Sequence, residues 1–241
     1  YTGTETRNAC YSPQHLQLYE SYSIIRLLEN TAPGRNGGGW IDQGGSSDNL
    51  SRWLDQANAT MLAKAKELML FNFAVLVDSP ALPPLGQQFY RIDEIVGKCG
   101  NPVGVAAWEP FDADGEDQLY NYLGQCGLAV EPSPYFNDKA PTVLLTQSSA
   151  CEPDAMEKLE KYVRQGGNAV VTVGFVHETY DKGIKDMTSV RLTHRHVLSN
   201  EFMVSNMNYL QMEVERSDDP ILFEVLDYKT NATHSDITIL A

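Results

Sequence analysis

The feature that most constrains this chain is the regular exchange of two periodicities between residues 103 and 175. Short apolar runs, "VGVAAW" (103–108), "LAVEP" (128–132), "TVLLTQ" (142–147) and "NAVVTVGF" (168–175), read as strands. Between them, residues 116–126 and 153–165 carry helical spacing. The second of these opens on Pro153 and an acidic turn and closes on Gly166-Gly167. A parallel partner is reached only by a crossover, so strands separated by helices predict a parallel sheet covered on both faces. The predicted class is therefore α/β, with three layers.

Upstream the same two signals recur less regularly. Ser12-Pro13 predicts a helix start, and Leu16, Tyr19, Tyr22, Ile25 and Leu28 follow at helical spacing until "NTAPGRNGGG" ends the pattern. "GWID" (39–42) is a short strand between glycine turns. Ser46, Ser47 or Asp48 can cap a second helix that carries Leu50, Trp53, Leu54, Ala57 and Met61 on one side. "ELMLFNFAVL" (67–76) hardly alternates and reads as one fully buried strand. "DSPALPPLG" (78–86) has prolines, a glycine and no period, which predicts a linker and a boundary at 86. A short helix around Phe89, Ile92, Ile95 and Val96 leads into the second part, residues 87–187. Beyond it "VRLTHRHVL", "YLQMEVER", "PILFEVLDY" and "SDITIL" alternate or run apolar without helices, so residues 188–241 are expected to be a β-rich C-terminal extension of the same domain, pairing with or covering its sheet.

Charge narrows the function classes. Lys and Arg total 18 against 32 Asp and Glu, a net charge of −14, and no basic cluster offsets it. Such a surface repels phosphate backbones and anionic membranes, so a nucleic-acid partner is not expected. No apolar run approaches the roughly 20 residues of a membrane-spanning helix. The four cysteines, Cys10, Cys99, Cys126 and Cys151, are too widely spaced for a CxxC site. They read as buried free thiols, with Cys99 and Cys126 the first pair to test for a bridge. A start at Tyr1, with no initiator Met or signal core, reads as a processed chain or one cut from a longer polypeptide.

The stretch "EDQLYNYLGQCGLAVEPSPYFNDKAPTVLLTQSSACEPDAMEKLEKYVRQGGNAVVTVGF" (116–175) resembles the class I glutamine-amidotransferase-like, flavodoxin-like domain that follows the barrel in many glycoside hydrolases. It is most similar to the β-galactosidase trimerisation domain. Tyr162, Val163, Gly166, Gly167, Val170 and Thr172 stand at the positions of its "YV-x-x-GG-x-h-V-h-T" turn and strand. Upstream, "MLAKAKELMLFNF" (61–73) is similar to the last barrel strand of such enzymes, and "GGWIDQGG" stands where the nucleophile strand would be. The resemblance implies that residues 1–86 are the closing βα units of a (β/α)8 barrel and that 87–187 form a flavodoxin-like accessory domain. It places Asp42 at the position of the nucleophilic Glu, one methylene shorter, with the acid/base partner on an earlier strand outside these 241 residues.

By that resemblance the chain is expected to be a non-catalytic accessory or oligomerisation region of a carbohydrate-active, glycoside-hydrolase-like protein. One alternative is that Asp42 belongs to a retaining glycosidase site completed elsewhere. Another is a glycan-binding or purely structural module. The family's usual setting implies an extracytoplasmic location, periplasmic or secreted, and its accessory domain implies a homo-oligomer.

The residues supply their own candidates. Asp42, at the end of a strand, can act as a carboxylate of the site; Trp40 can stack on a sugar, and Asn72 can line the same rim. The bland alternative for Asp42 is a turn cap. His194 and His196 in "THRH" would share a strand face without a third ligand, so they read as surface imidazoles and no metal is expected. Cys151 lies where a helix start would lower its pKa, but "VTVGFVHET" has no cysteine at the amidotransferase elbow. It reads as a packed thiol, and His177-Glu178 as a polar helix start. "GGNAVVTVG" lacks the spacing of a phosphate-cradling loop, so no cofactor is expected. The sequons at Asn49, Asn58 and Asn231 carry little weight.

Overall fold

The computed structural model describes residues 1–6, 17–42, 50–116, 119–205 and 212–228. The chain divides into two units, Tyr1–Thr172 and Val173–Ala241. The first unit holds two parallel sheets, so the expected α/β class is the one observed.

The first sheet comprises β1 (Thr2–Gly3), β2 (Gly38–Ile41) and β3 (Glu67–Leu70), parallel and in sequential order. Helices α1 (Glu20–Thr31) and α2 (Leu50–Leu62) form the crossovers, and α3 (Phe73–Leu76) and α4 (Leu82–Val96) follow. Sequential order means that each crossover steps the same way, the winding of a barrel wall. The second sheet comprises β4 (Val105–Trp108), β5 (Val130–Ser133), β6 (Thr142–Leu145) and β7 (Asn168–Val171), with α5 (Leu119–Gln125) and α6 (Ala155–Arg164). Its order, β5-β4-β6-β7, reverses after β5. That reversal is the doubly wound, flavodoxin-like arrangement.

Local chemistry explains the tight first sheet. Gly38 has φ +142°, and a Cβ there would overlap the carbonyl oxygen of Glu67 on β3. Only glycine lets β2 and β3 pair at this point. On the helical side Ile41 packs with Trp53 of α2 and with Leu85 and Ile92 of α4, flanked by Leu68 and Leu70. Each such side chain contributes about 1.5–3 kcal/mol when fully buried, so this cluster carries much of the first sheet's stability.

Three sequence expectations change here. The strand expected over 67–76 ends at Leu70, and residues 73–76 are helical. It is only half-buried: Leu68 and Leu70 face the helices while Glu67 and Met69, on the other side, are exposed. The stretch expected to be a linker becomes the start of α4 at Leu82, with Pro83 and Pro84 in the first turn, where missing N–H donors cost nothing. Ala81 and Leu85 are buried, so this segment is core. The strand expected over 168–175 stops at Val171.

The two sheets of the first unit meet through α1, which packs on the edge strand β5. The joint is polar. Arg26 donates from Nε to both carboxylate oxygens of Glu131, at 3.2 and 2.9 Å, and its NH2 stands 2.8 Å from Oε2. Asn30 donates to Glu131 Oε2 and to the Pro132 carbonyl, and Tyr22 donates to Glu131 Oε1. Burial and the Glu131 carboxylate push the Tyr22 phenol well above its ordinary range, which keeps it a donor. Nearby, Ser23 and Glu20 of α1 hold the buried Asn121 of α5.

The second unit contains α7 (Val173–Thr179), a single 3-10 turn, α8 (Ile184–Met187) and the antiparallel pair β8 (Val190–Ser205) and β9 (Met212–Tyr228). The expected β-rich extension is observed, although "PILFEVLDY" and most of "YLQMEVER" merge into one long strand. "SDITIL" lies outside the described residues. The helices between 173 and 187 include His177-Glu178, which sit within α7 rather than at its start.

Candidate functional site

The site follows from strand register. Gly3 lies beside Trp40, Trp40 beside Met69, and Ile41 beside Leu70. The Thr4 amide donates to the Trp40 carbonyl and the Phe71 amide to the Ile41 carbonyl, which carries the same register one step further. Glu5, Asp42 and Phe71 are thus aligned across the three strands. Alternation puts this row on the same face as Gly3, Trp40 and Met69.

The opposite face belongs to the helices: Thr4 bonds Thr60 of α2, while Ile41, Leu68 and Leu70 join the helix-packed core. The Trp40 face is the one a closed barrel turns inward. Met69 is 44% and Phe71 57% exposed on it. Large apolar side chains at the rim of a polar cluster mark a surface suited to a ligand or to further strands.

The row also lies at the carboxyl ends of parallel strands, where α/β architectures place reacting groups, because the loops there can be varied without disturbing the sheet. Asp42 is 7% exposed, Trp40 is half-buried, and Asn72 follows Phe71 on the exposed rim. The structure therefore brings Trp40 and Asp42 to one face, with Asn72 at the same edge. The Asn72 side-chain oxygen accepts from the Ala74 amide at 2.9 Å, capping α3.

Glu5 is a carboxylate of this row that the sequence alone did not single out. It is half-buried, and its Oε2 is buried with no hydrogen-bond partner among the described residues. The signal lay in "TGTET" (2–6), whose threonines at 2, 4 and 6 alternate with Gly3 and Glu5 in the strand period. Two residues of regular strand at β1 are too few for that alternation to stand out.

The other candidates are dispersed. His194 has φ +56° and falls in an irregularity between Leu192 and Arg195 that breaks the alternation expected to align it with His196. Its ring meets that of His177 edge-on at 6.4 Å. Among the described residues no cluster of metal-ligating side chains occurs.

Cys99, Cys126 and Cys151 are free and exposed, which corrects the expectation of buried thiols and leaves Cys99 and Cys126 unbridged; Cys10 lies outside the described residues. All three stand at or just beyond the ends of helical segments, away from the inner faces. Partial burial, followed by the carboxylates of Glu152, Asp112 and Glu109, pushes the Cys151 thiol up, so these effects outweigh the lowering expected from a helix start. The sequon residue Asn58 lies within α2 and accepts from Gln88 Nε2 at 2.6 Å; Asn49 and Asn231 lie outside the described residues.

A concavity of about 700 Å3 opens in the first unit where the β5–β6 connection, residues 134–141, lacks a helix. Arg26, Glu131, Trp108, Tyr135 and Phe136 line it. Its buried polar groups are already engaged: Arg26 with Glu131, and Trp108 Nε1 with the Pro134 carbonyl at 3.2 Å.

Residues 1–97 match the model of a family described as "Probable glycosyl hydrolase, catalytic domain". The chain has no significant match among curated proteins or among solved structures. The match ends where α4 ends, so it takes in all three strands of the first sheet and the helices over it. This part of the chain is glycosyl-hydrolase-like.

Proposed function

We propose that residues 1–97 form part of the wall and rim of a glycoside hydrolase active site, with Asp42 as one of its carboxylates and Trp40 as a surface for a sugar ring. The observation that carries this reading is the alignment of Trp40 and Asp42 on one face of a sequentially wound parallel sheet, opposite its helices and at its carboxyl end. Glycosidic bonds are cleaved by paired carboxylates, and aromatic faces bind the apolar side of sugars. The rest of the wall is supplied by polypeptide beyond these three strands.

The doubly wound sheet then serves as the accessory part of such an enzyme. The Arg26–Glu131 joint supports this, since it braces the helix that links β1 to β2. The resemblance to trimerisation domains implies self-association of the whole protein, which sedimentation velocity would read.

The test is turnover of a panel of 4-nitrophenyl glycosides by the full-length gene product and its Asp42→Asn variant. The expected loss in kcat is at least 100-fold, the scale of removing an acid/base group. Equal rates would remove Asp42 from the reaction.

A further inference from the structure

We infer that Glu5 is a second catalytic carboxylate of this site and that Gly3 is the positioning residue that makes room for it. The inference rests on the glycosidase reading above and deepens it. Three observations carry it.

Glu5 and Asp42 fall level with each other just past the paired ends of neighbouring parallel strands, on the face opposite the helices. Glu5 Oε2 is buried yet accepts no hydrogen bond among the described residues. A buried carboxylate oxygen without a partner costs stability, so its retention points to a ligand that completes it. Finally, the Glu5 carboxylate folds back over Gly3, where a Cβ would overlap Oε2. Because Gly3 lies beside Trp40, this turns the carboxylate toward the ring proposed to hold the sugar.

The chemistry needs two carboxyl groups. One, as the acid, delivers a proton to the leaving glycosidic oxygen as the bond to the anomeric carbon breaks; the other, ionised, meets the positive charge that develops at that carbon. The water that adds supplies the hydroxyl to the sugar and the proton that restores the acid. The Glu5 carboxylate stands over Gly3, beside Trp40, so it meets the ring proposed to hold the sugar from the neighbouring strand. With an oxygen uncommitted within the protein, Glu5 is assigned to the anomeric carbon.

The experiment uses the full-length gene product with the 4-nitrophenyl glycoside panel and with iminosugars, whose cations mimic the developing charge. Glu5→Gln is expected to lower kcat at least 100-fold and iminosugar affinity at least 10-fold, with no fall in Tm. In Gly3→Ala the backbone is tolerated and only the carboxylate must move, so kcat should fall at least 10-fold while KM and Tm hold. Glu5→Gln turnover and affinity within threefold of wild type would overturn the role of Glu5 while leaving that of Asp42 standing. A fall in Tm as large as the fall in activity would make Glu5 structural. A wild-type protein that neither turns over a glycoside nor binds an iminosugar would overturn the glycosidase reading itself, and this inference with it.

Discussion

Individual carboxylates in this protein differ by what surrounds them. Glu20, in the first turn of α1, is pushed above the ordinary carboxylate range by burial, against the opposing pull of its hydrogen bonds with Asn121 and Ser23. The folded state therefore holds this proton more tightly than the unfolded chain. Its contribution to stability is fully present below the ordinary carboxylate pKa and is lost as pH rises through the elevated one. Glu20→Gln removes this titration, so urea midpoints measured from acid to neutral pH should fall less in the variant, and at pH 7 the variant should be at least as stable as wild type. The Asp42→Asn expectation belongs to the same scale, since it changes one ionisable group and little volume. Asp42 was legible in the sequence because glycines and a tryptophan framed it. Glu5 was not, because its relation to Asp42 is a matter of register between strands more than thirty residues apart.

At the scale of elements, glycine placement decides how closely the first sheet can be wound. Gly38→Ala adds a methyl against the Glu67 carbonyl at a backbone angle that disfavours side chains. Strain of this kind costs about 1–3 kcal/mol, and separating β2 from β3 adds to it. A loss of at least ~2 kcal/mol in denaturant unfolding is expected; an unchanged midpoint would show that the strands tolerate wider spacing. The element pattern itself was largely readable: α2, α6 and the strands β4, β5 and β6 lie close to their expected places, whereas α1 begins at Glu20 and not at the expected Ser12-Pro13, which lies outside the described residues. Failures came where composition stood in for periodicity. Pro83 and Pro84 suggested a linker, yet prolines in a first turn permit a helix, and Leu85 and Ile92 then face Ile41 and Trp53. The run 67–76 looked like one buried strand because apolar content cannot distinguish a strand from a strand followed by a helical turn.

At the scale of the whole molecule, the polar joint between the two sheets of the first unit sets how firmly the glycosyl-hydrolase-like part is braced. The Arg26 and Glu131 side chains are only 8% and 15% exposed. Removing one partner of a buried pair leaves an uncompensated charge and costs about 3–5 kcal/mol, whereas replacing both with apolar groups is often near neutral. Arg26→Ala should therefore lower stability by about 3 kcal/mol, while Arg26→Met combined with Glu131→Leu should recover much of it. Chemical denaturation of the three proteins checks this, and a double variant as weak as the single would assign the joint's value to the ion pair itself. Among the described residues no helix is long and apolar enough to cross a membrane, and the acidic balance follows from composition alone.

The sequence by itself determined the α/β class, the alternation that demands parallel strands, and the strand that carries Trp40 and Asp42, because periodicity and turn chemistry act over a few residues. Tertiary structure decided that one sheet winds sequentially while the other reverses, that α1 seals against β5 through Arg26 and Glu131, and that Glu5 stands in line with Asp42. These depend on which strand lies beside which and at what register. Such pairings are fixed by burial and hydrogen bonding between distant segments, and no local pattern encodes them.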